Sequence, residues 1–70
     1  MEVLRIFSER LAELRQEKNL SIRQLAKELD ISARAIGRWE KMERTPSIAQ
    51  LYNIAVFFGV TADYLLGLEN

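Results

Sequence analysis

The chain has 70 residues, which is enough for one domain with a single small hydrophobic core. It contains no cysteine and no histidine, and this excludes disulfides, thiolate metal sites and catalysis by histidine. Ten basic and ten acidic residues give a net charge of zero, which argues against indiscriminate nucleic-acid binding, although every basic residue lies between Arg5 and Arg44.

No targeting or membrane segment is evident in the sequence. The N-terminal stretch MEVLRIF lacks the basic start and long apolar run of a signal peptide. The longest apolar run, residues 54–60, is too short to span a bilayer. We therefore expect a soluble, cytoplasmic protein without a membrane partner, and the missing cysteines fit a reducing compartment.

Apolar residues three or four positions apart predict a first helix over residues 3–18. They are Leu4, Phe7, Leu11 and Leu14. Asn19 follows, and asparagine tolerates the left-handed conformation that ends many helices. Ser21 and Gln24 have the spacing of a capping box, which predicts a second helix over about residues 22–29.

Only a tight turn, Asp30 and Ile31, separates the second helix from Ser32, a good N-cap for a third helix over about residues 33–41. Two short helices joined in this way cross at a steep angle. Residues 22–41 therefore predict a helix-turn-helix.

Two further helices complete the chain. Ser47 caps a fourth helix that ends at Gly59, and Thr61 caps a short fifth helix that stops at Gly67. The buried face of the fourth helix is predicted to hold Ile48, Leu51, Ile54, Ala55 and Phe58. The chain, residues 1–70, is thus predicted to be a single compact all-α domain of five helices.

Three features within five residues of the third helix are unfavourable for helix stability. Arg34 and Arg38 lie one turn apart on the same face and repel each other. Arg34 also lies near the helix N-terminus, where the helix dipole disfavours positive charge, and Gly37 costs roughly 1 kcal/mol relative to alanine. An anion bound from outside would explain these features, and a solvated face with tolerated flaws would explain them equally well.

Five short pieces of sequence occur in a characteristic order and spacing. They are LA at residues 25–26, IS at 31–32, RWE at 38–40, PS at 46–47 and FGVTADYLL at 58–66. In this order they resemble the Cro/CI-type helix-turn-helix family of phage and bacterial repressors, also called the XRE family. The resemblance runs from about residue 10 to residue 67 and implies a lambda-repressor-like fold.

The resemblance implies that the third helix is the recognition helix, which lies in the major groove of DNA. Carried over position by position, the base-reading residues are Ala33, Arg34 and Arg38. An arginine can donate two hydrogen bonds to guanine O6 and N7, and a small apolar alanine can contact a thymine methyl group. DNA would then be the bound anion that relieves the repulsion between Arg34 and Arg38, and Gly37 would let the helix approach the DNA closely.

Further contacts are implied outside the base-reading face. Phosphate contacts fall on Ser32, Lys41, Arg44 and Arg23. Arg23 has a plain alternative, since it could belong to a solvated face of the second helix. The family also pairs an arginine of the first helix with the glutamate that ends the third, and these positions hold Arg15 and Glu40.

The sequence departs from the family pattern at four positions. Ile22 replaces a glutamine that contacts phosphate, and we expect its apolar side chain to be exposed. Asp30 replaces the turn glycine, Met42 replaces a glycine after the third helix, and Glu43 brings a negative charge near the expected phosphate. These changes lower the DNA affinity that we expect without affecting the fold.

Apolar residues near the C-terminus allow two interpretations. Phe57, Tyr64, Leu65 and Leu68 either complete the core or form the interface of a homodimer that binds two half-sites of a two-fold symmetric operator. Trp39 is expected in the core rather than stacked on bases.

Two functions remain from the sequence. The first is a sequence-specific, double-stranded DNA-binding transcriptional regulator, a repressor of phage or mobile-element type. The alternative is an antirepressor-like or toxin-binding interaction module that keeps the fold with weak or no DNA binding, which Ile22, Met42, Glu43 and the zero net charge favour. An enzyme is not expected, since the paired carboxylates lie on a charged helix face without a pocket. No cofactor, metal or small-molecule ligand is indicated.

Overall fold

The computed structural model describes residues 2–69, which form five helices without a strand. They are α1 (Glu2–Glu17), α2 (Ile22–Leu29), α3 (Ala33–Glu40), α4 (Ile48–Phe58) and α5 (Ala62–Leu66). The all-α prediction is confirmed, and the predicted domain 1–70 extends one residue beyond the described residues at each end. Within residues 2–69, no helix combines the length and apolar composition that a bilayer crossing requires.

The helices begin and end where the local sequence predicts. Ser21 Oγ accepts a hydrogen bond from the amide of Gln24 at 3.0 Å, and the Ser21 amide donates to Gln24 Oε1 at 2.7 Å. Ser47 and Gln50 form the same capping box at the start of α4. Asp30 adopts a left-handed φ of 55°, so the chain reverses quickly and α3 crosses α2 closely.

The core is shared by all five helices, with α1 packed on α3 and α5, and α2 packed on α3 and α4. Its buried apolar members are Phe7, Leu11, Leu25, Ala26, Ile36, Trp39, Ile54, Ala55 and Leu65. Trp39 is 1% exposed, which confirms its prediction as a core residue. The Phe7 ring packs edge-on against it with centroids 6.2 Å apart, and the Ser8 hydroxyl donates to the Trp39 carbonyl oxygen. These contacts fix α3 to α1.

Two predictions about burial are wrong. Ile48 was predicted on the buried face of α4 but is 88% exposed. As the first residue of α4 its side chain leans toward the helix N-terminus, away from the contacts of α4 with α2 and α5. Ile22 was predicted to be exposed, but it is half-buried and packs against the core, which explains how the fold accepts it.

Candidate nucleic-acid interface

The outer face of α3 is formed by Arg34, Gly37, Arg38 and Lys41, at spacings that place them on one side of the helix. The opposite side carries Ile36 and Trp39, which are buried. Arg34 and Lys41 are exposed, and Arg38 is half-buried. We call these four residues the α3 outer face.

Neither arginine of the α3 outer face has a charged partner within residues 2–69. The described side chains offer no ion pair or hydrogen bond to Arg34 or Arg38. Arg5 on α1 differs, because its Nη1 donates to Glu9 Oε1 at 3.0 Å and it also pairs with Glu2. The repulsion that the sequence indicated at α3 is therefore not relieved within the described part of the fold.

Gly37 lies in the middle of this face with ordinary helical geometry. A Cβ added there would have no heavy atom within 4 Å apart from the local helix backbone. The fold requires a glycine here neither for space nor for a left-handed backbone, although glycine weakens a helix interior.

A part-buried ion pair ties the end of α3 to α1. Arg15 Nε donates to Glu40 Oε2 at 2.7 Å, and Arg15 Nη2 donates to Glu40 Oε1 at 3.0 Å. Arg15 Nη1 also donates to the Leu20 carbonyl oxygen at 2.9 Å. The hydrogen bonds to Glu40 raise the pKa of Arg15 above its ordinary value, although burial opposes the shift. This is the predicted pair of Arg15 and Glu40.

A polar groove brings together two residues predicted to contact phosphate. Ser32 and Arg44, far apart in the sequence, line it together with Trp39 and Gln50. Ser32 Oγ accepts the capping hydrogen bond from the Ala35 amide at 3.1 Å, which leaves its own hydroxyl proton free for an acceptor. The buried Trp39 Nε1 has no hydrogen-bond partner within residues 2–69.

The other predicted contacts are not among the residues that line this groove. Ala33 is the half-buried first residue of α3, next to Arg34. Lys41 forms the C-cap of α3. Arg23 is exposed in the first turn of α2, with no ion pair among the described residues.

The loop after α3 keeps the backbone geometry that a glycine would favour. Met42 has a φ of 61° and is 51% exposed. The left-handed conformation costs a residue with a Cβ about 1 to 2 kcal/mol. Glu43 follows, and its amide donates to the Arg38 carbonyl oxygen at 2.9 Å, so the loop folds back onto the end of α3.

The predicted apolar patch near the C-terminus does not form as a single surface. Leu65 is 0% exposed, so its prediction as an interface residue is wrong. The guanidinium of Arg10 lies 4.3 Å from the Tyr64 ring centroid, and Lys18 Nζ lies 5.5 Å from the Phe57 ring centroid. A cation of α1 and one in the turn after α1 thus lie over the two half-buried rings. Of the four predicted residues, Leu68 is exposed, at 72%.

The sequence analysis missed a different apolar surface, on α4. Ile48, Tyr52 and Val56 are exposed and recur every four residues along this helix. A signal was present, because residues 48–58 contain no charged residue. The periodicity of the apolar residues predicted the buried face of α4 and did not indicate an exposed apolar face opposite it.

Comparison with known proteins identifies the family. A family profile described as helix-turn-helix matches residues 11–65. The HTH-type transcriptional activator BcrR of Enterococcus faecalis is 44% identical over 63 residues, which are 90% of this chain and 31% of that protein. Two proteins of Bacillus subtilis (strain 168) are also similar. The uncharacterized HTH-type transcriptional regulator YobD is 32% identical over 65 residues, 93% of this chain and 58% of that protein.

The second Bacillus protein is the HTH-type transcriptional regulator AnsR, which is 39% identical over 61 residues, 87% of this chain and 53% of that protein. The chain therefore spans 31% to 58% of the length of these relatives. The relatives are named as transcriptional regulators and not as enzymes, in agreement with the sequence analysis. The profile covers most of the chain, and the structure has the matching α2, turn and α3. The chain belongs to the XRE family of helix-turn-helix transcriptional regulators.

Proposed function

We propose that this chain is a sequence-specific, double-stranded DNA-binding transcriptional regulator that reads the major groove with α3. The observation that carries the proposal is the α3 outer face, where Arg34 and Arg38, on either side of Gly37, have no charged partner among residues 2–69. Guanine O6 and N7 would supply hydrogen-bond acceptors, and the phosphates would supply negative charge. In this proposal Ala33, Arg34 and Arg38 read base edges.

Phosphate contacts would set the register of α3 on the duplex. The groove lined by Ser32 and Arg44 offers a hydroxyl donor from the start of α3 and a cation from the loop after it. Lys41 and Arg23 are exposed cations near the two ends of the helix-turn-helix and would add salt-dependent affinity without sequence information.

Two copies would bind a two-fold symmetric operator, with one α3 in each half-site. Occupying a site that overlaps a promoter represses transcription, and this is the mode that we propose for the chain. BcrR of Enterococcus faecalis is named an activator, so the position of the operator would decide the sign of regulation in this family. The protein would act in the cytoplasm, where bacterial DNA is accessible.

The first test is selection from a pool of randomised DNA duplexes by the purified protein. We expect recovery of a two-fold symmetric motif with a guanine in each half-site. The double variant Arg34→Ala/Arg38→Ala should recover no motif. The control Arg5→Ala/Lys18→Ala removes the same charge from α1 and from the turn that follows it, and should recover the motif of the unchanged protein. No enrichment at low salt would contradict the proposal.

The second candidate function is a protein-interaction module with the same fold. The zero net charge and the exposed Glu43, next to Arg44 in the loop after α3, favour it because both weaken attraction to phosphate. This function predicts weak DNA binding that changes little with salt, since few phosphates would be neutralised. A steep fall in affinity with rising salt would exclude it.

A further inference from the structure

The outer side of α4 presents a continuous apolar stripe to solvent. Ile48, Tyr52 and Val56 are 88%, 67% and 62% exposed, and they lie one above the other at intervals of four residues. We call these three residues the α4 stripe. A shallow apolar groove continues it past Leu51 and Val60 toward the start of α5.

The α4 stripe is large for so small a protein. The three side chains present on the order of 400 Å² of apolar surface, in the range where exposed patches mark binding sites. The total accessible surface of the chain is 4654 Å². The stripe alone supplies about half of the roughly 800 Å² per partner that a stable interface buries, and the adjoining groove, lined also by Leu51 and Val60, extends it.

The charge distribution indicates what covers the stripe. Residues 48–58 contain no Asp, Glu, Lys or Arg, whereas each of the other four helices carries charge. In a two-fold symmetric contact, a side chain near the axis faces its own copy, so any charge there meets a like charge. An uncharged apolar face suits contact with a second copy, and the absence of cations makes it a poor surface for DNA.

We infer that the α4 stripe is the contact with a second copy of this chain. Two α4 helices would pack antiparallel across a two-fold axis, with Tyr52 opposite Tyr52 of the second copy. Ile48 would then lie against Val56 of the second copy, and Val56 against Ile48 of the second copy. The inference deepens the proposed function, since it rests on that function's dimer and locates the interface, but its test needs no DNA.

The test is sedimentation equilibrium of the purified chain from micromolar to millimolar concentration. The unchanged protein should dimerise, and Tyr52→Glu should raise the dimer dissociation constant by about 100-fold or more, because it places two carboxylates at the axis. Leu68→Glu is the matched control, since it adds the same charge at an exposed apolar residue outside the stripe. It should dimerise like the unchanged protein.

A second measurement uses the symmetry of the contact. A mixture of Tyr52→Glu and Tyr52→Lys should form a heterodimer, because opposite charges then meet at the axis. Circular dichroism checks that each variant is folded. A monomeric unchanged protein, an undiminished Tyr52→Glu dimer, dissociation by Leu68→Glu or failure of the mixture to pair would each overturn the inference. DNA selection could still succeed with any of these results. A wrong α4 contact can therefore be distinguished from a wrong DNA-binding function.

Discussion

Arginines of the same chemistry have opposite roles on the two sides of α3. Arg15 approaches the end of α3 from α1 and is fully engaged, with Glu40 and the Leu20 carbonyl oxygen as partners. Arg34 and Arg38, on the outer side, have no ion pair within residues 2–69. The comparison separates a cation that ties α3 to the rest of the fold from cations of α3 that have no charged partner among the described residues.

The largest effect, on the free energy of unfolding, is expected from breaking the ion pair between Arg15 and Glu40. Glu40→Ala should lower the free energy of unfolding by about 2 to 3 kcal/mol, because it leaves the Arg15 guanidinium buried without its carboxylate. The value is below that of a fully buried pair, since the two side chains are 14% and 12% exposed. Urea denaturation followed by circular dichroism measures the loss, which is a large fraction of the stability of a domain of this size.

The control for this prediction is Arg38→Ala, which removes a cation from the other side of the same helix. It should leave the unfolding midpoint close to that of the unchanged protein, since it breaks no ion pair among the described residues. If Glu40→Ala and Arg38→Ala destabilise equally, the distinction between the two sides of α3 fails.

A smaller effect, on DNA binding and not on stability, is expected from a change in the α3 outer face. Arg34→Ala should cost about 1 to 3 kcal/mol of specific DNA binding and relax the preference at one base pair of each half-site. Titration of the selected duplex and of its single-base variants measures both quantities. The unfolding curve should not shift, because Arg34 is exposed. An unchanged base preference would show that Arg34 does not read a base.

The five helices could be predicted because their ends depend on local chemistry. The Ser21 and Ser47 capping boxes and the left-handed Asp30 and Gly59 act within a few residues, so the sequence shows them directly. The Arg15 and Glu40 pair spans 25 positions and was reached through the family resemblance, since spacing along the chain does not specify such a contact.

Burial at the ends and edges of helices could not be predicted in this way. Leu65 and Ile48 are both apolar residues near helix ends, yet one is 0% and the other 88% exposed. Periodicity describes which residues share a face, and only the packing of neighbouring helices decides whether that face is covered. The rings of Tyr64 and Phe57 illustrate the same limit, because Arg10 of α1 and Lys18 in the turn after α1 lie over them.

The last prediction separates stability from binding at a single position of the α3 outer face. Gly37→Ala should raise the free energy of unfolding by about 0.4 to 1 kcal/mol, since the added Cβ meets no neighbour and alanine favours the helix. The same change should weaken binding to the selected duplex, because a methyl group between Arg34 and Arg38 would hold α3 away from the DNA groove.

Gly59→Ala is the matched control. Gly59 has a φ of 68°, so alanine there should destabilise the fold by about 1 kcal/mol. A more stable Gly37→Ala protein that binds DNA as tightly as the unchanged one would show that the DNA does not approach α3 at this position.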